Sequence, residues 1–171
     1  VDEEADEKDD EGEKDEEEDE KEESVVDIED SPFRFSITSE NTVEVAEYMD
    51  IHKYDVVIPS KVRINSKEYS VTGIADSVFY GCAALTSISI PEKVMSIGVS
   101  AFSNCSKLTT VDIPNSLTCI ADSAFCGCSD LVFVNSLDSV INIPNGVTNI
   151  GSSAFSNCNS MTSVIIPSGM S

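Results

Sequence analysis

Six cysteines and one histidine are the strongest nucleophiles and metal ligands in this 171-residue chain. Cys126-Gly127-Cys128 is a CxC, and two thiolates that close suit metal binding or redox exchange. No second CxC or CxxC accompanies it, and no histidine stands nearby in sequence. Three readings remain for these cysteines: a zinc site, a Cys119 to Cys126 disulfide, or plain packing. His52, in AEYMDIHKYD, falls between two strand-like segments and is expected to be an exposed loop residue. A lone imidazole makes no triad without a marked nucleophile to serve. Asn104-Cys105-Ser106 fits a glycosylation sequon formally, but its middle residue is a predicted core position, so no glycan is expected there. No phosphate-cradling glycine loop, EF-hand pattern or paired-carboxylate signature is present. The sequence therefore predicts neither an enzyme nor a bound cofactor or metal.

Charge narrows the field further. Residues 1–24 hold 17 of the 32 acids and three of the ten bases, so they carry −14 of the net −22 and leave −8 on the remaining 147 residues. That segment, almost without apolar residues, cannot bury enough surface to offset the entropy of ordering and is expected to be a disordered tail. It reads either as a solvated spacer or as an acidic arm that grips a basic partner. Seven scattered Lys and Arg after residue 24, against 15 acids, make no basic face for nucleic acid. No run approaches the roughly 18 to 20 apolar residues of a membrane-spanning helix. Six cysteines are also too few for a disulfide-dense scaffold. The first residue is Val, which reads as a processed or excised chain.

The elements that must position these side chains are short and β-like. FRFSI (33–37) and VEVA (43–46) alternate apolar and polar residues, Val56-Val57-Ile58 is a third run, and Val62-Arg63-Ile64 and Tyr69-Ser70-Val71 flank a predicted hairpin at Asn65-Ser66-Lys67. Residues 25–73 thus read as a β-rich N-terminal cap and first coil.

From residue 74 the chain repeats itself. Phe79, Phe102, Phe125 and Phe155 are each followed three residues later by Cys82, Cys105, Cys128 and Cys158, and three further on by Leu85, Leu108, Leu131 and Met161. Ile74, Ile97, Ile120 and Ile150 precede each Phe by five. Ile-Pro pairs close the units at 90/91, 113/114, 143/144 and 166/167, and Val94, Leu117, Val147 and Met170 follow three residues after each proline. The period is 23 residues twice; the third unit has seven extra residues between Leu131 and Val140. Recurrence at this interval means a solenoid, in which each coil adds the same side chains to continuous interior ladders. Within a coil, Ile88 and Ile90 alternate with Ser87 and Ser89 as a strand, a second extended piece covers Val94 to Ile97, and Ala101, Phe102 and Cys105 suggest a short helical or 3₁₀ turn. The four cysteines that follow the phenylalanines then read as a buried stack, each able to donate weakly to a turn carbonyl.

IGVSAFSNCSKLTTVDIPNSLTCI, IADSAFCGCSDLVFV and IGSSAFSNCNSMTSVIIP resemble the BspA-like leucine-rich repeats, also called the Treponema pallidum type. VVIPSKVRINSKEYSVTGIADSVFYGC is similar to the hairpin-containing first coil of such arrays. The resemblance implies a β-rich leucine-rich-repeat solenoid with a β-hairpin N-terminal cap. It also implies a secreted or cell-surface module that binds a protein or host-surface ligand, or serves in adhesion, and does no chemistry of its own. An intracellular acidic repeat protein that binds histones through its tail, and a structural stalk, are the alternatives.

The candidate binding residues are the outward strand positions, in two rows: Ser87, Thr110, Val140, Ser163 and Ser89, Asp112, Asn142, Ile165. Tyr80, at the coil turn, and Phe133, in the lengthened repeat, are added as aromatic anchors. The array breaks off at Ser171, where another Ile-Gly would fall, so further repeats are expected beyond it. The chain alone is expected to self-associate through an uncapped C-terminal coil.

Overall fold

The computed structural model of the chain describes residues 25–132 and 140–168; the acidic segment 1–24, Phe133 and Met170 lie outside the described residues. Strands β1 (Val25–Asp27), β2 (Phe33–Ile37), β3 (Thr42–Tyr48), β4 (Asp55–Val57), β5 (Lys61–Ile64) and β6 (Lys67–Ile74) form the N-terminal part. The array adds β7 (Ser87–Ser89), β8 (Ser96–Ile97), β9 (Thr110–Asp112), β10 (Cys119–Ile120), β11 (Val140–Asn142), β12 (Asn149–Ile150) and β13 (Ser163–Ile165).

The predicted hairpin is β5–β6, and its turn is tighter than expected. Lys67 already pairs with Ile64, leaving Asn65 and Ser66 at φ 48° and 65°. Positive φ at both central residues is the primed turn whose twist matches a two-residue hairpin. The second half of β6 then leaves the hairpin, pairs in parallel with β3, and hands its last residues, Gly73 and Ile74, to Ser96 and Ile97 of β8. From there a parallel ladder runs through β8, β10 and β12 without a break. The other edge of the coils is a second parallel ladder, β4-β7-β9, with β11-β13 as a separate pair.

The interior is the expected set of ladders. Phe79, Phe102 and Phe125 are fully buried, as are Leu85, Leu108 and Leu131. The four repeat phenylalanines stack nearly parallel, with successive centroids 4.9, 5.1 and 5.5 Å apart. That interval is close to the spacing of hydrogen-bonded strands, so one coil-to-coil rise serves both backbone pairing and ring stacking. At the N-terminal end Tyr48 lies 4.9 Å from Phe79 and Phe33 lies 5.2 Å from Tyr48, closing the stack with aromatic surface. At the other end Ile166 is 57% exposed, where its repeat equivalents Ile90, Ile113 and Ile143 are 4%, 5% and 1% exposed.

The helical or 3₁₀ turn expected around Ala101, Phe102 and Cys105 does not form. The segment is a run of β-turns, in which Ser103 N donates to Ser100 O and Cys105 N to Phe102 O. Ser77, Ser100, Ser123 and Ser153 lie at φ 59°, 53°, 56° and 58°, and Gly81, Asn104, Gly127 and Asn157 at φ 70°, 63°, 76° and 59°. Left-handed residues before and after each Phe interrupt any right-handed helix. The freed amides turn sideways: Phe79 N donates to Ala101 O, Phe102 N to Ala124 O and Phe125 N to Ala154 O, each at 2.8 Å. The turns are thus a third hydrogen-bonded ladder between coils.

Candidate functional site

The four predicted core cysteines, Cys82, Cys105, Cys128 and Cys158, are buried, and the last three donate to a turn carbonyl as expected. Cys105 Sγ reaches Phe79 O at 3.0 Å, Cys128 Sγ reaches Phe102 O at 3.1 Å and Cys158 Sγ reaches Phe125 O at 3.1 Å. Burial pushes the Cys105 thiol up to about 12 and the Cys158 thiol up to about 11, and it raises Cys82 and Cys128 as well. These thiols stay protonated and are poor nucleophiles at neutral pH. Cys119 and Cys126 are partly exposed, and all six cysteines are unbridged. Cys119 occupies the register position of Ser96 in the neighbouring coil, and Asn149 Nδ2 approaches its sulfur at 3.9 Å. His52 is exposed in the turn before β4. Asn104 is exposed while Cys105 is fully buried, so the middle of the sequon is core.

The coils are keyed to one another by a pairing that repeats every second unit. Asp76 Oδ1 accepts from Val99 N at 2.7 Å, and Asp122 Oδ1 accepts from Ser152 N at 2.6 Å. Opposite each aspartate stands a glycine. A Cβ on Gly98 would lie 2.6 Å from the carbonyl carbon of Ala75 and 2.7 Å from Asp76 N, and one on Gly151 would strike Asp122 N and the carbonyl carbon of Ala121. Ile-Ala-Asp-Ser coils therefore alternate with Ile-Gly-x-Ser coils, a pattern legible at 74–77, 97–100, 120–123 and 150–153. It escapes a search for single-coil repetition because its period is two coils.

The outward strand rows are in register. Ser87 pairs with Thr110 and Ser89 with Asp112; in the second block Val140 pairs with Ser163 and Asn142 with Ile165. The rows begin one coil earlier than expected, since Asp55 pairs with Ser87 and Val57 with Ser89. The missed signal is Ile58-Pro59 with Val62 three residues on, the same spacing as Ile90-Pro91 and Val94. Asp55 Oδ1 takes hydrogen bonds from Ser87 Oγ at 2.6 Å and Thr86 Oγ1 at 3.2 Å, while Val57 is 68% exposed.

The two expected rows do not run unbroken. Among the described residues β9 and β11 are not paired, so the face is a three-strand block followed by a two-strand block. The seven additional residues of the third unit fall between these two strands in sequence. Tyr80 stands on the turn ladder rather than the strand face, 58% exposed, with its hydroxyl 3.2 Å from Asn104 Nδ2. Val164, Ile165 and Ile166 are exposed at the C-terminal coil. No described helix is long and apolar enough to cross a membrane.

The family model for the BspA type leucine rich repeat region (six copies) matches residues 132–171. Among solved structures, the chain is similar to a leucine rich cell surface protein of Faecalibacterium prausnitzii A2-165, at 30% identity and a TM-score of 0.67, over 82% of this chain and 42% of that one. It is similar to the T. pallidum leucine rich repeat protein at 31% identity and a TM-score of 0.65, over 80% of this chain and 69% of that one. A leucine-rich repeat protein of Bacteroides ovatus ATCC 8483 matches at 32% identity and a TM-score of 0.61, over 82% of this chain and 41% of that one. The chain thus spans less than half the length of the Faecalibacterium and Bacteroides proteins. No curated protein matches the sequence.

Proposed function

Because the chain belongs to the BspA-type leucine-rich repeat family, we propose that it is a non-catalytic binding module of a secreted or cell-surface protein, serving adhesion to a protein or host-surface ligand. The observation that carries this reading is the strand face. Its residues Ser87, Ser89, Thr110 and Asp112 stand in register on a parallel sheet, with small side chains that let a partner approach the backbone closely. Asp55 and Val57 extend the rows, and Val140, Asn142, Ser163 and Ile165 supply a second block. Tyr80 and Phe133 are the aromatic anchors to test beside them. A face of this kind binds through area and shape, so a large charge placed at its centre should abolish binding.

The competing reading places binding in residues 1–24, whose −14 charge suits a basic partner such as a histone. Capture of candidate surface proteins on the immobilised chain separates the two. If the strand face binds, Ser89→Arg or Phe133→Ala weakens capture, salt matters little, and deletion of residues 1–24 is without effect. Capture that is lost on that deletion and falls steeply with salt assigns binding to the acidic segment. Capture indifferent to all of these changes makes the array a stalk.

The exposed Val164, Ile165 and Ile166 also support self-association of the 171-residue chain through its C-terminal coil. The net charge of −22 opposes this association, so salt should strengthen it. A strict monomer in sedimentation at both low and high salt would refute it.

A further inference from the structure

The chain contains a single Asn-Gly dipeptide, Asn145-Gly146, in the turn that carries it from β11 on the face to β12 on the back. Val147 N donates to Pro144 O at 3.0 Å, so Asn145 and Gly146 are the two central residues of a β-turn, and both are exposed. The same turn recurs at Pro91 to Val94 and at Pro114 to Leu117, closed at 3.0 and 3.1 Å. There the residue matching Gly146 is Lys93 or Ser116, and the Ser116 hydroxyl is tied to Val94 O at 2.6 Å. Gly146 has no side chain, and its N–H has no acceptor among the described residues. The exposed nitrogen therefore has neither a hydrogen bond to break nor a Cβ to shield it. Covalently held one residue from the Asn145 side-chain amide, it can attack that amide carbon at the high effective concentration of an intramolecular reaction.

We propose that Asn145 is a self-modification site, at which the folded chain converts its own asparagine to aspartate and isoaspartate. The Gly146 nitrogen gives its proton to solvent base and bonds to Asn145 Cγ, ammonia leaves, and a five-membered succinimide closes. Water then opens either ring carbonyl, so that asparagine plus water gives ammonia and a carboxylate. One opening restores the ordinary main chain with an aspartate side chain. The other leaves isoaspartate, whose main chain runs through the former side chain and is one atom longer. Two features make this turn sensitive to the change. Residues 140–171 contain no Asp, Glu, Lys or Arg, so the new carboxylate is the first charged side chain in that stretch. Ile143 and Val147, on either side of the turn, are each 1% exposed, so the added atom must be absorbed between two buried anchors.

The test is to age the whole 171-residue chain in its folded state at mildly acidic and mildly alkaline pH, with a urea-unfolded sample beside it, and to follow its peptides by mass spectrometry. The peptide carrying Asn145-Gly146 should gain about one mass unit, the difference between an amide and a carboxyl group. It should do so in the folded sample, faster at alkaline pH, and ahead of the peptide carrying Asn115-Ser116. Two products of equal mass should separate by chromatography, and Asn145→Gln, whose ring closure is less favourable, should keep its starting mass. No gain at Asn145 in the folded sample overturns the proposal whatever the unfolded sample does, because the turn would then hold the amide away from its nucleophile. Equal rates at Asn145 and Asn115 would overturn the role given to Gly146. The isoaspartate form, purified after ageing, should unfold at lower urea than Asn145→Asp, which carries the same charge on an ordinary main chain. Equal midpoints for the two would overturn the consequence drawn for the turn.

Discussion

The back of the coils and their strand face obey different rules. On the back, β8, β10 and β12 pair without interruption and the turn amides bond from coil to coil, even though the third unit is seven residues longer than the others. On the face, β9 and β11 are unpaired among the described residues, and residue type varies along the rows, from Asp55 to Ser87 and Thr110 in one and from Val57 to Ser89 and Asp112 in the other. The back is fixed because ring stacking, thiol donation and backbone pairing must all share one rise per coil. The face is joined to that core only through alternate residues such as Ile88 and Val111, so its outward positions and connecting length are free to vary. The back pairs through every coil, and the face is the part proposed for recognition.

Substitutions on the back should therefore be expensive. Phe102→Ala removes a ring stacked on both sides and should cost about 3 to 5 kcal/mol, read as a fall in the urea midpoint. Phe155→Ala, whose ring is only partly buried, should cost clearly less, and equal losses would deny that a coil depends on both neighbours. Next is Gly98→Ala, which drives a methyl into the backbone of the preceding coil and should cost about 1 to 3 kcal/mol. Asp122→Ala, which releases one amide of the following coil, should cost about 1 kcal/mol.

The thiols give a pH signature for the same ladder. In the unfolded chain they lose their protons near pH 9, whereas in the folded chain Cys105 holds its proton to about 12 and Cys158 to about 11. The folded state therefore binds more protons between those values. Its stability is fully present below pH 9 and is lost as pH rises towards 12. The same burial predicts that an alkylating reagent at neutral pH modifies Cys119 and Cys126 first and reaches the four ladder cysteines only on unfolding. Uniform labelling of all six would contradict the buried stack.

The ladders of Phe, Cys, Leu and Ile were legible in the sequence because apolar identity recurs where a core position recurs. Family resemblance followed from the same residues. The polar positions that shape the turn were missed, although Ser stands two residues before every repeat Phe and Gly or Asn two after. Their role lies in backbone conformation, which hydrophobic periodicity does not register. The helical reading of Phe102 and Cys105 failed for that reason, since a three-residue spacing suits a β-turn run as well as a helical one. Asp76 with Gly98 was missed because its repeat spans two coils. The strand rows were placed correctly in pairs, but Asp55 and Val57 escaped because the first coil is stretched by the β5–β6 hairpin.

On the face the expected effects on stability are smallest. Ser89→Arg points outward from a strand whose inward neighbours are untouched, so its unfolding midpoint should stay within about 0.5 kcal/mol of the parent. Measuring that midpoint and partner capture on the same Ser89→Arg preparation tests the division of labour most directly. The account predicts unchanged stability with capture lost; unchanged stability with capture intact would show that the strand face is not where this protein binds.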